Sequence, residues 1–242
     1  MQIRRCFDSD SGDTACLLMQ QSVRFFLALL IAFSSVFGLA QASPGAAPSH
    51  PTSTPYSGDL SIFEYQDRDA KLQPQRILSL LGVRAGSSVA DIGAGGGWLS
   101  VRAAKMVGAD GVVFAEDINA EAFKAVRDRA EREHLPQIRA VLGSPDDPKL
   151  PPQSVDAVVI LKTYHEISNP KALLRNLIPS LRPGAKLRII DRNGTGANHG
   201  LDEAIVVREL GDAGFRQTGR YDFTKADGED YFLIFELEQR NH

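Results

Sequence analysis

Residues 89–100 read VADIGAGGGWLS: an apolar run ends in Asp91, and Gly93, Gly95 and Gly97 follow at alternate positions before Trp98. Glycines spaced in this way let a backbone lie close to a ligand, because they carry no side chain and accept turn conformations closed to other residues. The register is wrong for a pyrophosphate-binding G-x-G-x-x-G, which from Gly93 requires a glycine where Trp98 stands. A second reactive stretch is LKTYHEISNP, residues 161–170. His165 has an intrinsic pKa suited to a general base, Tyr164 offers a hydroxyl and a ring face, and Glu166 can orient the imidazole or bind a reactant. A packing and hydrogen-bonding role for Tyr164 and His165 stands beside the catalytic one. The stretch is no zinc-protease helix, since H-E-x-x-H needs a histidine at the position of Asn169.

These residues must be held by elements that alternate along the chain. SVADI (88–92), GVVFAED (111–117), IRAVL (138–142), VDAVVIL (155–161) and AKLRIID (185–191) are short apolar runs rich in β-branched residues, as expected of strands buried on both faces of a parallel sheet. WLSVRAAKMVG, AEAFKAVRDRAEREH and PKALLRNLIPSL carry apolar residues at helical spacing, with Asn119 as N-cap of the second. The implied fold class is α/β, a doubly wound and mostly parallel sheet with helices on both faces. FRQTGRYDF and DYFLIFELE, separated only by TKADGE, are expected to close the sheet as a C-terminal antiparallel hairpin. In that architecture the glycine loop lies between the first strand and its helix, where doubly wound sheets bind ligands.

The run D-x-G-x-G-x-G, the acid Asp117 ending VFAED, the stretch VLGSPDDPKLPPQSVDAVVI and the turn at Pro183-Gly184 in LRPGAKLRIID together resemble the class I S-adenosyl-L-methionine (SAM)-dependent methyltransferases. The resemblance runs over about residues 61–238 and is most marked to a group of bacterial proteins predicted to be methyltransferases, several of which carry export signals. It implies that Asp91, Gly93, Ala94, Gly95, Gly97, Asp117, Ile118 and Ser144 bind the cofactor, Asp117 through the ribose hydroxyls and Ser144 near the adenine. Many relatives have an aspartate where Ser144 stands, and here Asp146 and Asp147 follow instead. Arg68, in the front segment FEYQDR, can pair with the SAM carboxylate; the alternative is a surface arginine on an amphipathic helix. His165 and Tyr164 fall where this fold places groups beside the transferable methyl, which makes them the expected catalytic residues. Asp191, Asn193, Asn198 and His199 surround a loop near which some relatives bind magnesium, but spacing does not assemble an oxygen cage from them, so no metal is expected and the loop reads as an acceptor-side lid.

Ahead of the domain, FFLALLIAFSSVFGLA (25–40) follows Arg24 and precedes Gln41-Ala42, the order of charge, apolar core and A-x-A found in a signal peptide. Residues 1–42 are therefore expected to be a leader, with Met19 as an alternative start, residues 43–58 a poorly ordered Pro/Ser/Thr-rich linker, and residues 59–242 the folded domain. The apolar run is shorter than the about 20 residues of a spanning helix, so cleavage and a periplasmic or secreted domain are expected; the alternative is an N-terminal anchor with the domain outside the cytoplasm. Cys6 and Cys16 both lie in this leader and supply neither a disulfide framework nor a metal site to the domain. A net charge of -3 over 242 residues, with 24% charged residues of mixed sign, gives no basic footprint for nucleic acid. The implied function is methyl transfer from SAM to a small-molecule acceptor. The alternatives are an exported SAM-fold binding protein without catalysis, and an NAD-dependent oxidoreductase, which the glycine register disfavours.

Overall fold

Val, Ile and Ala dominate the segments that run through the middle of the molecule, and they form strands covered on both faces. The computed structural model describes residues 50–238; the expected leader, residues 1–42, and the first part of the expected linker lie outside the described residues. Seven strands, β1 (Ser88–Ile92), β2 (Val112–Asp117), β3 (Ile138–Leu142), β4 (Val155–Leu161), β5 (Leu181–Asp191), β6 (Phe215–Tyr221) and β7 (Tyr231–Leu237), form one sheet in the order β3-β2-β1-β4-β5-β7-β6. The first five are parallel, whereas β7 runs antiparallel to both β5 and β6. This is the doubly wound sheet with a C-terminal hairpin that the sequence pattern implies.

The period of two along β4 divides the core. Ala157, Val159 and Leu161 join a cluster that includes Ile77, Leu78 and Trp98 on one face, while Val158 and Ile160 join Leu174, Leu177, Val206 and Leu210 on the other. The covering helices are α1 (Arg68–Leu72), α2 (Pro74–Leu80), α3 (Trp98–Val107), α4 (Ala120–Arg132), α5 (Pro170–Leu177) and α6 (Glu203–Asp212). Asn119 caps α4 by accepting from the Glu121 amide, as expected, and Asn169 does the same for α5 through Ala172. Helix α6, capped by Asp202, is an element the sequence reading did not pick out. Its pattern is diluted because only Val206 and Leu210 are fully covered. No helix among the described residues is long and apolar enough to cross a membrane.

Two expectations change in detail. Pro183-Gly184 lies inside β5 rather than before it: Val155 pairs with Leu181 but Ala157 with Lys186, so the dipeptide forms a looped-out irregularity in a longer strand. The linker reading of 43–58 is corrected for residues 50–58, which lie against the domain as an extended strap. Ser53 is buried, its amide donates to the His165 carbonyl at 2.9 Å, and its hydroxyl donates to the Gly196 carbonyl. His50 Nδ1 sits 2.9 Å from Glu209 Oε1. Prolines at 51 and 55 restrict the unfolded chain, so ordering this extended segment costs less entropy than its polar composition suggests.

Candidate active site

In the order β3-β2-β1-β4-β5 the chain leaves β1 toward one side and later returns to β4 on the other, so the loops after these two strands diverge and open a crevice. A cavity of about 280 Å³ lies there, lined by the loops that follow β1, β2, β3 and β4. Asp91, Gly93, Ala94, Gly95, Asp117, Ile118, Ser144 and Arg68 all line it. Gly97 does not: with φ 77 it caps α3 and packs toward Val126, a structural role in starting the helix.

The glycine loop is shaped by its backbone. Gly93 has φ 71, and a Cβ there would fall inside the Thr163 side chain, so a larger residue would both strain the turn and push β4's loop away. Asp117 holds the loop from the neighbouring strand end, its Oδ2 accepting from the Gly95 amide and its Oδ1 from the Asn119 amide, each at 2.9 Å. Each carboxylate oxygen keeps a second lone pair for a hydroxyl in the cavity. Ile118, 42% exposed, adds an apolar surface at the rim that suits a planar ring. Asp91 is buried and accepts from the Ser100 hydroxyl at 2.6 Å; burial pushes its pKa up to about 6.

The front of the cavity is closed by residues 60–68. Arg68 is only 7% exposed, so the surface-arginine alternative does not hold. Its guanidinium stacks 4.1 Å from the centre of the Trp98 ring, donates to the Phe63 carbonyl, and leaves its Nε without a protein partner. Burial lowers its pKa. Glu64 pairs with Arg129, which also donates to the Gly96 carbonyl at 3.1 Å and so ties this front segment to the glycine loop.

Among the polar residues of the cavity that sequence reasoning missed, Glu116 and Lys162 carry ionisable groups deep in the site. Glu116, one position before Asp117, is 2% exposed, and its Oε1 finds no hydrogen-bond partner. Burial, followed by the Asp117 charge, raises its pKa to about 8. Below pH 4.5 folded and unfolded chains both hold this proton; between 4.5 and about 8 only the folded chain does, so folding stability falls as pH rises through that window. The variant Glu116→Gln is therefore expected to lose this dependence and to be more stable than the parent at pH 9, by on the order of a few kcal/mol. Thermal melts at pH 6 and pH 9 check it; equal losses in both proteins on raising the pH would refute it. The second is Lys162, with φ 55 at the end of β4, whose ammonium lies 2.7 Å from Asp227 and 2.8 Å from Glu229. Those carboxylates come from the β6–β7 connection, and no local pattern announces the meeting.

The expected catalytic pair requires correction. Tyr164 is fully buried beneath the sheet, does not line the cavity, and donates its hydroxyl to Glu209 Oε2 at 3.0 Å. The short 3₁₀ turn at Tyr164–Glu166 rotates its side chain into the core while Glu166 emerges toward the cavity. Tyr164→Phe should thus cost about 1 kcal/mol of stability, for the lost hydrogen bond, and leave turnover unchanged. Denaturant unfolding beside a rate measurement would reveal a catalytic hydroxyl if the rate fell without a matching loss of stability.

His165 is 3% exposed and also lies behind the cavity wall. Its Nδ1 is 2.8 Å from the Asp191 carboxylate, which fixes the tautomer with Nε2 unprotonated in the neutral ring. Nε2 points to Glu166 Oε1 at 3.8 Å, and His199 Nδ1 reaches the same oxygen at 3.6 Å. Glu166 is the member of this cluster that reaches the cavity, and burial raises its pKa. His165 and His199, 34 positions apart in sequence, are thus brought together beside Glu166.

Residues 89–184 match the methyltransferase domain family. The chain is 28% identical over 122 residues to the ubiquinone/menaquinone biosynthesis C-methyltransferase UbiE of Marinomonas sp. (strain MWYL1), covering 50% of this chain and 49% of that protein. It spans about half the length of the curated relatives it matches. Among solved structures, a SAM dependent methyltransferase from Aquifex aeolicus is 25% identical with a TM-score of 0.66, covering 74% of this chain and 98% of that one. Fibrillarin from Aeropyrum pernix, solved with natively bound S-adenosyl-L-methionine, shares the fold at 13% identity and a TM-score of 0.52, covering 67% of this chain and 74% of its own. By sheet order and strand-end site this chain has the class I methyltransferase fold, and its residues 89–184 carry the match to the methyltransferase domain family.

Proposed function

We propose that the protein transfers the methyl group of S-adenosyl-L-methionine to a small-molecule acceptor. The observation that carries this reading is one crevice in which the glycine loop, Asp91 and Asp117 converge from adjacent parallel strands. Asp117 would accept from the ribose hydroxyls, Ile118 and Ser144 would flank the adenine, and Asp91 and Arg68 would meet the ammonium and carboxylate of the amino acid portion. The sulfonium would then face the β4 loop, where Lys162, Thr163 and Glu166 line the remaining space. Transfer is an in-line displacement: the acceptor's lone pair forms a bond to the methyl carbon as the carbon–sulfur bond breaks and a neutral thioether leaves. The sulfonium makes the methyl electrophilic by itself, so the protein's contribution is to position the acceptor and to manage its proton. Glu166, which lines the cavity with His165 and His199 behind it, would serve that task.

Calorimetry of the full chain with S-adenosylhomocysteine and NAD, followed by incubation of labelled SAM with cell-envelope and whole-cell extracts, tests the reading. Binding of NAD in preference to S-adenosylhomocysteine would overturn it. Binding with no labelled product from any extract would favour the competing reading, a binding protein without catalysis. That second reading draws its support from the leader pattern at residues 1–42, because SAM is made in the cytoplasm and an exported enzyme needs a supply. The export proposal has its own expected outcome: expressed from the native start in a bacterium, the mature protein should begin at Ser43. N-terminal sequencing that finds an intact leader in the cytoplasmic fraction would reject export and remove the supply problem.

A further inference from the structure

We infer that His165, Glu166 and His199 form a binding site for a divalent transition-metal ion of the zinc class at the acceptor end of the cavity. One ligand atom from each lies within 4.8 Å of the other two, with 3.8 Å from His165 Nε2 to Glu166 Oε1 and 3.6 Å from His199 Nδ1 to the same oxygen. Neither gap is a hydrogen bond, and each exceeds by a few tenths of an ångström the about 3.3 Å separating neighbouring ligand atoms around a tetrahedral ion with bonds near 2.0–2.1 Å. The two imidazole rings stand edge to face at 5.7 Å, so their nitrogens converge without stacking. The His199 side chain is 53% exposed and can swing the remaining distance without disturbing the core.

Three further features favour a metal over a simple polar cluster. Asp191, completely buried, binds Nδ1 of His165 and thereby leaves Nε2 as the lone-pair nitrogen aimed at Glu166, the carboxylate–histidine arrangement that orients metal ligands. His199 adopts φ 54, a conformation unfavourable for a non-glycine residue, and is held in it by its amide donating to the Ser53 hydroxyl of the strap at 3.0 Å. The same Ser53 binds the His165 carbonyl, so the strap fixes both histidines relative to each other. Two nitrogens and one carboxylate suit zinc, cobalt or iron(II) rather than magnesium, which prefers oxygen, and they leave at least one coordination position open. Because Glu166 also lines the cavity, that position can be reached by a ligand there. If the methyl-transfer reading holds, the ion would bind the acceptor's reacting heteroatom and lower its pKa, and Glu166 would manage the acceptor's proton through the ion rather than as a free base.

The site is tested without any methyl transfer, so its failure and that of the proposed reaction are distinguishable. The full chain, free of affinity tags and stripped with chelator, is titrated with Co²⁺ while visible d–d absorption is recorded, then back-titrated with Zn²⁺. One equivalent of Co²⁺ should give d–d bands that Zn²⁺ abolishes. His199→Ala, a change at an exposed side chain, and Glu166→Gln should each weaken Co²⁺ binding by at least about tenfold, and Asp191→Asn by roughly 10- to 100-fold through the imidazole it orients. Circular dichroism establishes that each variant is folded. No stoichiometric binding, or binding of equal strength in folded His199→Ala and Glu166→Gln, would overturn the assignment.

Discussion

Asp117→Ala is expected to weaken S-adenosylhomocysteine binding by about 1.5–3 kcal/mol, a loss of roughly ten- to 150-fold, because the hydrogen bonds removed are made to a charged acceptor. The carboxylate has two duties that the substitution ends together. It presents lone pairs to the cavity, and it anchors the Gly95 and Asn119 amides that shape the loop and begin α4. Asp117→Asn separates these duties, since a carboxamide keeps one acceptor oxygen but turns a donor toward the second amide. Its affinity should fall between those of the parent and the alanine variant. Calorimetry on folded protein checks both, and parental affinity in Asp117→Ala would place the ribose elsewhere in the crevice.

The largest effect on rate is expected from Glu166→Gln, which should leave S-adenosylhomocysteine affinity within about a factor of two and lower the methylation rate by roughly 10²–10⁴. Glutamine preserves the shape of the side chain but cannot take a proton, and it neutralises the one anionic group that the cluster presents to the cavity. His165→Ala is the poorer experiment. Removing the imidazole would leave the Asp191 carboxylate buried without its partner, and lost stability would mask lost chemistry. A Glu166→Gln enzyme that methylates at the parental rate would show that the acceptor needs no protein group at this position; one that loses cofactor affinity instead would move Glu166 into the adenosine pocket.

Much of the glycine-loop end of the crevice was legible because it is local. Asp91 and the alternating glycines stand within one strand–loop–helix unit, Asp117 ends the next strand, and a parallel sheet sets these strand ends side by side. Strand limits were equally readable, with β1, β3 and β4 matching their apolar runs residue for residue; β1 and β4 are buried almost throughout, and β3, at the sheet edge, is bounded by the turns on either side. The end of the crevice beside the β4 loop was not readable in the same way. A three-residue 3₁₀ turn decides that Tyr164 enters the core and Glu166 the cavity, and turns of that length carry no periodic signature.

The sequence by itself determined the doubly wound sheet, the glycine loop and the carboxylates that serve it, because apolar periodicity and turn chemistry act between residues close along the chain. Only the tertiary structure decided which side chains gather at the far end of the crevice. Asp191 arrives there from β5, Asp227 and Glu229 from the hairpin connection, and His199 and Ser53 from a loop and a strap on opposite ends of the domain sequence. Their meeting depends on the packing of whole elements, and residue spacing along the chain holds no record of distances that only close when the sheet is complete.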